Sequence, residues 1–462
     1  MNPAVLRKKY PKFIYQDYSY KVSGNNLEIF FDFKIEPGIS FRPGLLIGNV
    51  DPIKIKMIAG KGLDNLIFNL GMIEGISYWK ATCSKEIIVK AGYLNKEQTK
   101  WWKELISDGM GQFFYENKID FRKPDFINIK SEPSRKHKSL KFHQSNRILI
   151  PVGGGKDSVV TLEILKNSKK NIRCFSLNPT DSALKIMEMA ACKNPIIVKR
   201  EIDKARLKMN RQGFLNGHTP FSAYLAFLTF LLAAAFDCRY IALSNERSSN
   251  EGNVKYLGKE TNHQWSKSFQ FEQLFRNYSK KYLGKGIEYF SFLRPLYEIQ
   301  IAKLFSGYSK YFPIFLSCNE AFKTDSGRKK TLKKWCGKCS KCLFAFVVLY
   351  PFLKESELID IFGKNLFKQR SLLPVMKELT GEKSFKPFEC VGTIKETLVA
   401  FYLSLKKAEE AGEPPFILSY FEKKILKKYP NLEQESRQIL NSWNIRNNLP
   451  KELKGLYIID KA

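Results

Sequence analysis

No stretch of this 462-residue chain is apolar for long enough to cross a bilayer. The longest apolar stretch, Phe221 to Phe236, is shorter than the ~18 residues a span needs and carries Ser222, Tyr224 and Thr229. It predicts a helix buried on both sides inside an α/β fold. A secretory signal is lacking too, since Met1 to Gln16 has Lys and Arg with no apolar run behind them. A cytoplasmic protein that does not engage membrane is therefore expected. No internal repeat and no low-complexity tract occurs. With 44% apolar and 26% charged residues, the composition is globular and excludes disorder, collagen and coiled coil as descriptions of the whole. Acidic residues are in deficit, 45 against 77 Lys and Arg, for a formal charge of +32. Such an excess suits polyanionic partners: RNA, membrane surface or phosphorylated small molecules. It also suits plain compositional bias, because 36 Phe and 21 Tyr accompany the lysines, as in an AT-rich genome. Cysteines number nine, an odd count that predicts no disulfide framework.

What is present divides the chain. Residues 1–130 read as an α+β unit: short strand-like runs between Phe13 and Ile47, broken at Gly24-Asn25-Asn26 and Glu36-Pro37-Gly38, predict hairpins. Trp101, Trp102, Leu105 and Ile106 predict a helix over Lys96 to Tyr115. Residues 131–146, with Pro133 and the basic run Arg135-Lys136-His137-Lys138, read as a linker. From Arg147 strands alternate with helices: strands over Arg147 to Val152, Arg173 to Leu177, Pro195 to Val198 and Tyr240 to Leu243, helices through Lys166, over Asp181 to Ala191 and over Pro220 to Phe236. That alternation predicts a parallel sheet with helices on both faces over residues 147–317, and a mostly helical part over 318–462. Pro151 is tolerable only near the end of its strand.

Gly153-Gly154-Gly155-Lys156-Asp157-Ser158 lies between the first of those strands and its helix. Glycines let backbone approach a phosphate, and the helix start presents free N–H groups and a positive dipole end. Lys156 adds charge and Ser158 a hydroxyl, while Asp157, which repels phosphate, is suited to hold Mg²⁺. Lys156 follows Gly155 but is itself followed by Asp157 where a Walker-type loop needs Ser or Thr, so this is not such a loop. It resembles the S-G-G-x-D-S loop of the N-type ATP pyrophosphatases, with Gly153 in place of the Ser. Asn245, Glu246 and Arg247 follow a strand, where ligands of open α/β sheets bind. Arg294, in Arg294-Pro295-Leu296, is a residue that would grip a phosphate or carboxylate. Cys336, Cys339 and Cys342, at C-x-x-C-x-x-C spacing, bring three thiolates within reach of one metal ion. Cys318 would complete a zinc site. Lys333, Lys334, Lys338 and Lys341 would offset its negative charge.

With these residues the chain resembles the MurL family of peptidoglycan-precursor epimerases. The matching stretches are Gly75 to Ala81, Gly153 to Ser158, Asn210 to Gly213, Asn216 to His218, Asn245 to Ser248, Asn262-His263-Gln264-Trp265-Ser266-Lys267, Ser317 to Asn319, Cys336 to Cys342 and Lys386 to Gly392. The resemblance implies a PP-loop core that uses ATP and Mg²⁺ to invert the terminal L-Glu of UDP-MurNAc-L-Ala-L-Glu, leaving AMP and pyrophosphate. It makes nucleic acid an unexpected partner. An α-proton beside a free carboxylate is barely acidic, and adenylylation removes that charge so that an enolate can be stabilised. His263, Glu246, Lys267 and Cys390 are the candidates to move the proton or hold the substrate, with His218 a further rival. Three rival functions fit parts of the pattern: tRNA thiolation, deazapurine nitrile synthesis and noncatalytic nucleotide sensing.

Overall fold

The computed structural model describes residues 1–133, 136–142, 144–322, 324–325, 328–329 and 334–456. Arg135 and Lys333, named above, lie outside the described residues. Ten strands carry the architecture: β1 Lys12–Ser23, β2 Asn26–Glu36, β3 Gly44–Ile47, β4 Glu86–Val89, β5 Asn128–Ser131, β6 Ile148–Pro151, β7 Ile172–Leu177, β8 Ile196–Glu201, β9 Tyr240–Leu243 and β10 Glu288–Ser291. With a short strand, Ile39–Phe41, that pairs with β2, they form one 11-stranded sheet. Its order is β10-β9-β6-β7-β8-β3-β2-β1-β4-β5. The stretch from β10 to β8 is parallel throughout. At β8 the sheet changes character, because β3 pairs with β8 antiparallel, Ile47 opposite Val198. The sheet is thus mixed, and the parallel strands expected from the alternating pattern make up one half of it. Pro151 is the last residue of β6, where its missing N–H is harmless.

Six helices position the site: α1 Lys61–Trp79, α2 Lys156–Asn167, α3 Phe221–Ala235, α4 Glu298–Ser306, α5 Ser340–Leu349 and α6 Ile394–Ala411. Successive strand residues face opposite sides. Leu149 and Ile241 therefore join the core containing α1 and α3. Ile148, Ile150, Tyr240 and Ala242 join a second core built with α2, α4, α5 and α6. Both faces are covered, so β9 can be buried at all four positions. The apolar helix α3 is buried on nearly every side, as expected. Among the described residues no helix is long and apolar enough to cross a membrane.

Three local departures have physical causes. The helix expected over Lys96 to Tyr115 breaks at Met110 into Lys96–Gly109 and Gly111–Glu116. A side chain at Gly109 would come 2.9 Å from Pro220, so the helix runs too close to that turn to carry one. The stretch read as a linker begins with the last residue of β5 and contains Leu140–Lys141, which pairs in parallel with Gly284–Lys285. Finally, Cys174 and Cys192 form a disulfide where none was expected. Cys174 on β7 and Cys192, just past the helix Asp181–Met189, meet because that helix packs back on its own strand.

Candidate active site

Strand β6 lies between β7 and β9, so the chain leaves it first to one side and later to the other. Such a reversal opens a crevice beyond the carboxyl ends of the strands. The glycine loop, the segment Ser244 to Ser249 and the segment Phe292 to Tyr297 all leave the sheet there. Gly154 has φ +95°, and a side chain on it would lie 3.0 Å from the Ser182 hydroxyl, so both conformation and space demand glycine. A side chain at Gly153 would meet nothing within 4 Å, which leaves that face of the loop open. Gly155 is the N-cap of α2 and offers no side-chain cap. The helix's first N–H groups are therefore left for a ligand. The Ser158 hydroxyl donates to the Gly155 carbonyl, 2.9 Å away.

The loop's lysine is turned inward. Lys156 is buried, and its ammonium pairs with both Asp157 and Glu298, the first residue of α4. Burial disfavours the ammonium, but the two carboxylates outweigh it and hold Lys156 above the usual lysine range. Burial likewise works against ionised Glu298, and Lys156 with Lys341 outweighs it and holds the acid in its charged form. Glu246 completes the group: carboxylate oxygens of Asp157, Glu246 and Glu298 all lie within 4.8 Å of one another. Glu246 is only 3% exposed, and its carboxylate has no hydrogen-bonding partner among the described residues. Burial, and next the charge of Glu298, push it up to about 7. Three converging oxygen donors of this kind suit a hard divalent cation.

Across Lys267 lies a second group. The Lys267 ammonium is 3.2 Å from Cys390 Sγ, and it also feels Glu246 and Asp157. Burial pushes the Cys390 thiol up, but Lys267 and then His263 overturn that and bring it down to about 5. His263 Nε2 faces Cys390 Sγ at 4.0 Å, and His263 Nδ1 is 2.5 Å from Gln112 Oε1. Gln112 Nε2 donates to Glu116 at 2.7 Å, which leaves its oxygen for the imidazole. His218 packs against His263 at 4.6 Å between ring centroids. Burial, then the neighbouring His263, keeps it well below the ordinary histidine range. Its segment is anchored by Lys80, whose ammonium donates to the Gly217 carbonyl at 2.5 Å.

Not every expected ligand contact is available. Arg294 was expected to grip an anion, and the structure corrects this. It is 0% exposed, and its guanidinium serves the carbonyls of Glu246 and Lys267, the hydroxyls of Ser249 and Ser291, and the Glu272 carboxylate. It holds the loop bearing Glu246 against the turn bearing Lys267, so it positions the site from behind. Asn245 is tied to Ser291 Oγ at 3.1 Å, and Arg247 lies over the Tyr297 ring at 4.3 Å.

Cys318, Cys336, Cys339 and Cys342 converge, with Sγ–Sγ distances of 3.6 to 3.9 Å. A tetrahedral site with bonds of ~2.3 Å to sulfur has edges of about 3.8 Å, so the four thiols already stand at metal-site spacing. The cluster is joined to the crevice through Lys341, between Cys339 and Cys342. Its N–H donates to Glu389 at 2.5 Å, its ammonium to the Cys390 carbonyl, and it stands 3.8 Å from Glu298.

Known proteins match most of this chain. The MurL N-terminal domain matches residues 5–292 and the MurL C-terminal domain residues 314–435. The chain belongs to the MurL family. A UDP-N-acetyl-alpha-D-muramoyl-L-alanyl-L-glutamate epimerase from Micromonospora is 32% identical over 75% of this chain and 76% of its own. Proteins of the same name from Salinispora tropica and Xanthomonas oryzae are 32% and 30% identical, over 72% and 74% of this chain and the same shares of their own. The crevice draws on both MurL domains: Gln112, Lys156, Asp157, Glu246, His263 and Lys267 fall in the first, Lys341, Cys390 and the four grouped cysteines in the second. Glu298 lies between them. Sequence reading missed Gln112 and Glu298. Gln112 sits in a short helix with no motif about it. Glu298 follows the Arg294-Pro295-Leu296 tripeptide, so the signal pointed to the right turn and the wrong side chain.

Proposed function

We propose that this protein, an enzyme of the epimerase class by its family, inverts the terminal L-Glu of UDP-MurNAc-L-Ala-L-Glu to D-Glu, cleaving ATP to AMP and pyrophosphate through a glutamyl adenylate, in peptidoglycan precursor synthesis. The three relatives are named for this substrate. The observation that carries the reading is the meeting, across Lys267, of a glycine loop at a helix N-terminus with a thiolate–imidazole pair. Nucleotide chemistry and proton chemistry thereby share one crevice.

In this reading the PP-loop of Gly153 to Ser158 and the N-terminus of α2 bind the phosphates. Asp157, Glu246 and Glu298 are the residues that would hold Mg²⁺, which when bound would supply positive charge to the phosphates. Lys156, paired with Asp157 and Glu298 in the structure, would turn its ammonium to the phosphate chain. Lys267 would offset the negative charge that builds on the glutamyl carbonyl oxygen as the α-proton leaves. Glu246 and His263 are the groups placed to carry that proton. The four cysteines would hold a structural Zn²⁺, and Lys341 between them ties that cluster to the Glu389-Cys390 turn.

The test is isotopic. In D₂O with ATP and Mg²⁺, the D-glutamyl product should carry deuterium at its α-carbon, and substrate recovered after long incubation without ATP should carry none. Deuterium uptake at equal rates with and without ATP would refute an adenylate-first mechanism.

A further inference from the structure

We propose that Gln112, His263 and Cys390 form a nucleophilic triad, and that the activated glutamyl group passes from AMP to Cys390 as a thioester before its α-carbon is inverted. This rests on the adenylate reading above and deepens it.

The geometry points this way in three respects. First, the order of groups is sulfur, imidazole, amide. Gln112 Oε1 at 2.5 Å from Nδ1 sets the His263 tautomer and leaves Nε2 facing Cys390 Sγ at 4.0 Å. A nucleophile, its base and a third group that orients the base is the layout of cysteine acyl-transfer enzymes. A residue that only shuttles a proton to carbon does not need its imidazole neighbour fixed by an amide. Secondly, Lys267 lies 3.2 Å from the sulfur and favours the thiolate over the thiol. Thirdly, the Lys341 ammonium donates to the Cys390 carbonyl and stands 3.8 Å from Glu298, so Cys390 is one side chain away from the carboxylate cluster beside the glycine loop, where the acyl phosphate would be made. A thiolate beside an acyl phosphate attacks its carbonyl carbon readily, being intrinsically very nucleophilic.

The steps balance. Cys390 S⁻ attacks the glutamyl carbonyl carbon, a C–S bond forms, and the C–O bond to AMP breaks with its electron pair leaving on AMP. The thioester has lost the negative charge of both thiolate and carboxylate. The Lys267 ammonium, released from the sulfur, then faces the carbonyl oxygen, where it stabilises the enolate. After reprotonation at carbon, water attacks the thioester, the C–S pair returns to Cys390 as thiolate, and both protons of that water pass to solvent, the first through His263, leaving the free carboxylate. The net consumption is ATP and water, giving AMP and pyrophosphate.

The experiment uses full-length enzyme in excess over UDP-MurNAc-L-Ala-L-Glu, with ATP and Mg²⁺, quenched in acid within one turnover. Denatured enzyme should carry the mass of the substrate less water on the peptide containing Cys390, and hydroxylamine should release it as a hydroxamate. Cys390→Ser should lower turnover by about a thousandfold or more and abolish the acid-stable adduct on sulfur. Gln112→Leu should lower the rate of adduct formation at unchanged zinc content and unchanged melting temperature. D-Glu product formed with no acid-stable adduct would overturn the thioester and leave the epimerase reading standing. A Cys390→Ser enzyme with more than a tenth of wild-type turnover would do the same. Absence of D-Glu product from wild-type enzyme would overturn both.

Discussion

Replacing Lys267 with methionine tests the electrostatic core of the site. Methionine keeps an unbranched chain of similar length and removes the ammonium 3.2 Å from Cys390 Sγ. With it the thiol sits at about 5, because Lys267 and His263 together outweigh burial. Without it burial still opposes ionisation, and the thiol returns to the ordinary value of about 8.5 or above. At pH 5.5 the thiolate fraction then falls from about three quarters to about one in a thousand, roughly 700-fold. A more basic sulfur is intrinsically more nucleophilic, by roughly 40-fold over that interval, so the net loss in alkylation rate is about 20-fold. The assay is a timed reaction with isotope-coded iodoacetamide from pH 4 to 10, read on the peptide containing Cys390 to separate it from the other free cysteines. Wild-type reactivity should be flat above pH 6 and fall below pH 5, because protonation removes the thiolate. In Lys267→Met the midpoint should move above pH 8. A wild-type midpoint between 8 and 9, or a midpoint that the substitution leaves in place, would refute the reasoning.

Asp157→Asn should keep the fold and lose most pyrophosphate release, since one of three converging carboxylates is gone, and ADP with orthophosphate as products would contradict the loop assignment. Cys339→Ser should lower zinc content from about one ion per chain and lower the melting temperature together, because binding energy at a structural site is folding energy. Zinc-free wild-type protein of unchanged stability would contradict it. Arg294→Lys should destabilise the protein by about 3–5 kcal/mol, because a buried guanidinium fork with five protein acceptors is replaced by a single ammonium. A variant of normal stability with only a raised KM for ATP would restore Arg294 to the nucleotide.

Local pattern revealed those parts of the molecule that local forces determine. Strands β6 to β9 and helices α2 and α3 were legible because apolar runs and helical spacing report burial along a segment. The glycine loop was legible because its backbone needs glycine at Gly154, and the cysteine cluster because ligand spacing survives in the sequence. What stayed hidden depends on contacts between distant segments. The antiparallel pairing of β3 with β8 joins residues about 150 apart in the chain and leaves no periodic trace in either strand. Arg294 reads from sequence as an anion clamp, because nothing near it in the chain shows that two carbonyls from other segments have claimed it. Gln112 gains its meaning from His263, 151 residues away.

The crevice takes side chains from both MurL domains, and this has a consequence for how the protein could be divided. The glycine loop belongs to the first matched domain and Cys390 to the second, while Glu298 stands in the interval between them. Glu396 of α6 crosses the same boundary, accepting from the Ser248 hydroxyl at 2.7 Å and from the Ile299 N–H at the start of α4, also at 2.7 Å. Neither half carries a working remnant of the site. A cut between residues 293 and 313 would leave one fragment with the glycine loop, Lys267 and His263 but without Cys390. The other fragment would hold a reactive sulfur without the lysine and imidazole that ionise it. Only reassembly of the two fragments would bring sulfur and loop back together, so split chains of this protein would act as a reporter of their own association.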